Sequence, residues 1–141
     1  MASFNKFNAF VEHLAEGVMN LQSDTLKIAL TNTAPVAGNS VRADLTEISN
    51  GNGYTTGGVA ATVSSSGQTS GTYKLVLGDV TITATGGSVG PFRYFVLVDD
   101  TPISPADPLV GWWDYGSSIT LADGESITVD FDGTDGVLQI A

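Results

Sequence analysis

Apolar side chains recur at spacings of three and four through the first 21 residues. Phe4, Phe7, Val11, Leu14, Val18 and Leu21 form the stripe, and Phe10 widens it. That period predicts an amphipathic helix over 4–21. Ser3 is its expected N-cap, and Asn20 with the Ser23-Asp24 pair its expected stop. Gly17 costs the last turns about 1 kcal/mol relative to alanine. Such a helix must lay its apolar face on something, either its own sheet or a neighbouring subunit.

From residue 25 the period changes to two. Leu26, Ile28 and Leu30 alternate with Lys27, Ala29 and Thr31, which predicts a half-buried strand. A loop follows with Pro35 and Gly38. The stretch 50–71 is rich in Gly, Ser and Thr and predicts one weak strand between mobile loops, ordered by a partner. Further strands are expected at 73–77, 80–84, 92–98, 109–114, 118–121, 126–131 and 137–140. The segment 92–98 is apolar on both faces except at Arg93, so it is the expected central strand. Short strands broken by Gly/Asp turns predict a mainly β fold: a single β-sandwich, Ig-like or jelly-roll-like, over 25–141, with one N-terminal amphipathic helix and one domain over 1–141.

Composition narrows the function classes. A chain of 141 residues buries a core without staples. No apolar run approaches the ~20 residues of a membrane-spanning helix, and the first residues predict no cleaved leader. The absence of cysteine excludes disulfides and thiol chemistry. A net charge of −10 and a pI near 4.1 argue against nucleic acid as partner. The charge is uneven: residues 99–141 hold nine acids and no base. Calcium, a basic partner or plain solvated loops would each suit such a stretch, and its Gly- and Pro-flanked acids favour loops.

Motif chemistry is sparse. Gly86-Gly87-Ser88-Val89-Gly90 has the spacing of a nucleophile elbow, but Pro91 and a strand follow where the elbow needs a helix. The single histidine, His13, lies one position off the helical stripe and reads as solvated or at an interface edge. Asp130-Phe131-Asp132-Gly133-Thr134-Asp135-Gly136 is out of register for an EF-hand, since its sixth position is Asp135, and reads as a hairpin turn. Gly51-Asn52-Gly53-Tyr54-Thr55-Thr56-Gly57 misses the dinucleotide fingerprint by one residue and opens no helix, so it reads as a loop. With no convergent acid, base and nucleophile, the expectation is no enzyme, no catalytic residue, no metal and no cofactor. Trp112-Trp113-Asp114-Tyr115 is the most distinctive local feature. Adjacent residues of a strand face opposite ways, so either one tryptophan enters the core and the other lies on the surface, free for a sugar face or a protein contact, or both are shielded by neighbouring loops.

Several segments together resemble small tailed-bacteriophage proteins encoded among virion structural genes. They are Phe4-Asn5-Lys6-Phe7, Ser23-Asp24-Thr25-Leu26-Lys27, Ala29-Leu30-Thr31-Asn32-Thr33-Ala34-Pro35, Ser70-Gly71-Thr72-Tyr73-Lys74-Leu75-Val76-Leu77, Gly90-Pro91-Phe92-Arg93-Tyr94, Gly111-Trp112-Trp113-Asp114-Tyr115-Gly116-Ser117-Ser118-Ile119 and Val129-Asp130-Phe131-Asp132-Gly133. The resemblance implies a virion protein assembled in the bacterial cytoplasm. Its leading implication is a head decoration (cement) protein bound to the major capsid protein, as a homo-oligomer such as a trimer. A neck, tail or fibre component and a glycan-binding adhesion module are the alternatives. The expected contact residues are Phe4, Phe7, Phe10, Val11 and Leu14 on the helix, with Trp112, Trp113 and Tyr115.

Overall fold

The computed structural model describes residues 2–141. Its strands are β1 (Asn5–Lys6), β2 (Leu26–Thr31), β3 (Val59–Ala61), β4 (Val63–Thr69), β5 (Thr72–Leu77), β6 (Val80–Thr83), β7 (Val89–Asp99), β8 (Leu109–Leu121), β9 (Ser126–Val129) and β10 (Leu138–Ile140), with one helix, α1 (Asn8–Ala15). A large antiparallel sheet runs β1-β8-β7-β2-β3, and β10-β5-β4 and β6-β9 form two smaller sheets. Strand β7 is central, as its two-sided apolar sequence requires.

The inner face of the large sheet presents Ile28, Leu30, Phe95 and Leu97. These share one buried cluster with Leu75 and Leu77 of β5 and Val80 and Ile82 of β6. Both smaller sheets thus pack on that face, and the fold is a mainly β, sandwich-like arrangement that stays open at one side. The outer face is covered too. Ala29, Val96, Val98 and Leu109 pack there with Phe7 and the half-buried Leu45 and Trp112. This corrects the half-buried reading of β2. Ala29 and Thr31 are as buried as Leu26, and the Thr31 hydroxyl is satisfied by donating to the Thr46 carbonyl at 2.6 Å.

The N-terminal helix is much shorter than its apolar spacing predicts. Asn5 and Lys6 pair with Trp112 and Gly111 of β8, so the chain enters as a strand. A spacing of three puts two residues on one face of a helix but on opposite faces of a strand. Phe4 therefore joins the inner cluster and Phe7 the outer one. The Phe4 ring lies where any side chain at position 111 would stand, which is why β8 carries glycine there. The helix begins only after Phe7, which has no side-chain cap, so Ser3 plays no capping role. It ends at Gly17, whose φ of +75° lets the Val18 amide reach back to the His13 carbonyl at 2.9 Å. Phe10 is buried and Leu14 partly so, while Val11 is 51 % exposed. The helix packs within its own subunit.

The Gly/Ser/Thr-rich stretch holds two paired strands, β3 and β4, rather than one. It also carries an unforeseen core residue. Tyr54 is 1 % exposed, and its hydroxyl accepts the Leu30 amide at 3.0 Å, a main-chain group beyond the reach of β3. The same hydroxyl donates to the Glu47 carboxylate. Glu47 also accepts the Gly57 amide at 2.7 Å and the Arg42 guanidinium at 3.1 Å, and Arg42 continues to Asp107 at 3.3 Å. Burial, reinforced by Glu47, pushes the Tyr54 phenol far above its ordinary range, so it stays a donor.

Two outcomes follow from this packing. Phe7→Ala should cost about 3–5 kcal/mol in urea unfolding, the loss of a fully buried ring, whereas Val11→Ala should change little. Tyr54→Phe should cost about 1–3 kcal/mol, because the Leu30 amide and Glu47 both lose a buried partner. A midpoint unchanged by Tyr54→Phe would show that water replaces the hydroxyl.

Candidate functional site: an aromatic groove

The open side of the sandwich is a groove of about 520 Å³. Its floor is aromatic: Phe95 of β7, Trp113 and Tyr115 of β8, Phe4 beside β1, and Phe131 just after β9. Trp113 sits between Phe4 and Phe131, with ring centroids at 5.3 and 5.8 Å. Trp112, one residue earlier, turns to the opposite face and lies 4.6 Å from Phe7. Both tryptophans are half-buried, so of the two alternatives the one with both shielded holds. The two serve different clusters, and the aromatic left open is Tyr115, at 51 %.

Tyr115 is placed by a break in the β7–β8 ladder. Tyr94 pairs with Asp114 and Phe92 with Ile119, so β8 carries several more residues than β7 across this step. The two strands expected at 109–114 and 118–121 are thus one strand with a bulge. Asp114 pins it. Its carboxylate accepts Arg93 Nε at 2.8 Å and Nη2 at 3.0 Å, and also the Gly116 amide at 2.8 Å. The bidentate pair holds the Asp114 carboxyl below the usual carboxylate range. As an exposed pair it adds little stability; its effect is to set the chain direction that brings Tyr115 within 6.3 Å of Phe95.

The groove wall is Ile127 through Asp132, closed by Gly136 and Val137. Asp130 is exposed and belongs to none of the ion pairs among the described residues. The Asp132 Oδ1 accepts the Thr134 and Asp135 amides at 2.7 and 2.8 Å, which lowers its pKa and makes 132–136 a tight turn. No base lines the groove.

Other sequence features are not assembled into chemistry. Ser88 lies in the loop before β7 and His13 on α1, with no hydrogen bond between them. The His13 Nδ1 is buried without a partner among the described residues. No group of three or more His, Asp or Glu is arranged to hold a metal among those residues, and no helix there is long and apolar enough to cross a membrane. A second cavity of about 450 Å³ lies between the α1 end and β10, lined by Leu14, Met19, Leu21, Tyr73 and Ile140 among others. Comparison with known proteins yields no matching family model, no matching curated protein and no matching solved structure.

One titratable group stands apart from both cavities. Asp99, at the end of β7, is fully buried; its Oδ1 accepts the Thr101 amide at 3.2 Å, and its Oδ2 has no donor among the described residues. Burial, together with the neighbouring Asp24 carboxylate, pushes its pKa up to about 8. Protonated, Oδ2 becomes a donor to Asp24, which resolves the orphan atom. The native state then holds one proton more than the unfolded chain between the ordinary value of 3.8 and about 8. That stabilisation is fully present below the lower value and is lost as pH rises through the upper one. The urea midpoint of the protein should therefore fall between about pH 5 and pH 8.5. Asp99→Asn, the isostere of the protonated form, should flatten this slope and exceed the parent chain in stability at the alkaline end. An unchanged slope in the variant would assign the pH dependence elsewhere.

Proposed function

We propose that this chain is a non-enzymatic structural protein of a tailed-phage virion, and that it decorates the head shell as a cement protein bound to the major capsid protein. The sequence resemblance supplies the virion setting. The observation that carries a binding role is the aromatic groove: an open apolar surface centred on Tyr115 and Trp113, with Asp130 and Asp132 in its lining and no base among the lining residues. Burying such a surface on a partner is favourable, and the aromatic side chains supply most of the contact energy. Phe7 and Phe10 are consumed in the protein's own core, so attachment passes from the helix to the groove. A strongly acidic chain stays dispersed before docking through self-repulsion.

A glycan-binding role is the second reading, favoured by the exposed Tyr115 ring and Asp130 lining one groove, a stacking face and a hydrogen-bonding carboxylate. A neck, tail or fibre location differs from decoration in stoichiometry. Quantitative mass spectrometry of purified virions against the major capsid protein separates them. Decoration gives hundreds of copies in a fixed ratio to the shell subunit; a handful means neck or tail, and absence from particles sinks both. Tyr115→Ser should strip the protein from particles while leaving the melting temperature of the isolated chain within a few degrees of the parent, because the ring is half exposed.

A further inference from the structure

The inner layer of the sandwich ends at β9, beside an uncovered aromatic floor. We propose that the groove is a strand-acceptor site, which takes an extended segment of a partner protein bearing lysine or arginine and pairs it with the open edge of β9. The inference rests on the virion reading only for who the partner is.

Three features of the groove carry it. First, the wall is formed by consecutive residues, Ile127 to Val129 of β9 and Asp130 to Asp132 just after it. Side chains on one face of a strand line a surface alternately, so a consecutive run means that the edge of β9 borders the groove. The other edge is taken by β6, and no described strand pairs on the groove side. Second, the ladder parity points the right groups outward. The Ala84 amide donates to the Glu125 carbonyl at 2.9 Å, so Ala84 faces β9, and by steps of two so do Ile82 and Val80, opposite Ile127 and Val129. The intervening pairs, Thr81 with Thr128 and Thr83 with Ser126, touch through their hydroxyls at 3.0 and 2.7 Å. Thr128 thus directs its amide and carbonyl into the groove. Edge strands are commonly blunted by lysine or proline, and Ser126-Ile127-Thr128-Val129 has neither.

Third, charge selects the occupant. The lining carries Asp130 and Asp132 and no base; Lys74 reaches the 132–136 turn, bound to the Thr134 carbonyl at 3.2 Å, and leaves the exposed Asp130 outside every ion pair among the described residues. A strand with basic residues at the rim complements this surface, whereas a second copy of this chain brings the same net charge of −10. Alternate apolar residues of the incoming strand would rest on Trp113, Tyr115 and Phe95, and the four residues of β9 span about 13 Å at strand rise, an edge for a segment of about four residues.

The test is a titration of the purified chain, followed by amide NMR shifts, with a nine-residue peptide that alternates valine with lysine and threonine. Saturable binding is expected, with shifts at Trp113, Tyr115 and Ile127–Asp132. A peptide with glutamate for lysine, and a copy N-methylated at alternate residues, should both fail to bind. Tyr115→Ser should weaken binding about tenfold. Thr128→Pro should abolish it while keeping the β6 ladder, since only the outward amide is lost. The N-methylated peptide reads the same interaction with the protein unaltered. Equal binding of the lysine and glutamate peptides would overturn the charge assignment, and binding of the N-methylated copy would overturn strand pairing. No binding of the lysine peptide, or saturation of the same residues by an oligosaccharide in its place, would overturn the proposal, and none of these outcomes bears on the virion copy number.

Discussion

Strand β7 buries apolar side chains on both faces, and this two-sided burial organises the molecule. A sheet whose central strand reads Phe92-Arg93-Tyr94-Phe95-Val96-Leu97-Val98 needs a cover above and below. Phe95 and Leu97 look inward to the two small sheets, while Val96 and Val98 look outward. Both smaller sheets lie on the inner side, and among the described residues no sheet covers the outer one. The cover is instead assembled from Phe7, Leu45 and Trp112, which arrive from the N-terminal segment, the loop after β2, and β8. The Tyr54–Glu47–Arg42–Asp107 chain of hydrogen bonds fastens part of this covering loop to the β2 backbone and to the turn before β8.

Those demands also decide what is left for a partner. Phe7 and Phe10 are spent on the protein's own interior, so the N-terminal aromatic residues are not a free adhesive surface. The inner cover, in contrast, stops short. It leaves Trp113 and Tyr115 beside the β9 edge, with acids at the rim. Apolar area, a strand edge with no described partner and an unpaired carboxylate coincide in a single place.

Charge has two roles in this chain. Paired acids such as Asp114 and Asp107 orient backbone through arginine. Asp99 is buried without a base, and its desolvation is relieved by a retained proton rather than by an ion pair. The unpaired remainder, Asp130 among them, gives the groove its field.

Several strand positions after residue 72 were legible because their patterns are local: β5, β6 and β10 follow from alternation and Gly/Asp turns, and β7 from two-sided apolarity, whereas β8 read as two strands because its bulge is set by pairing with β7. The mainly β class and the central strand follow from those alone. The N-terminus was not legible, because Phe4, Phe7 and Phe10 satisfy both a helical stripe and a strand that leads into a helix; pairing with β8, more than a hundred residues away, settles which. Tyr54 was hidden for the same reason, its place depending on a main-chain amide of Leu30 that β3 is too short to reach. Of the groove, the sequence by itself singled out Trp112, Trp113 and Tyr115 as contact candidates. Which of them faces the open side was decided by the bulge pinned by Asp114 and by the end of the β6–β9 pair. Alternation states that neighbours point apart, but only long-range pairing determines what lies on each side of the sheet.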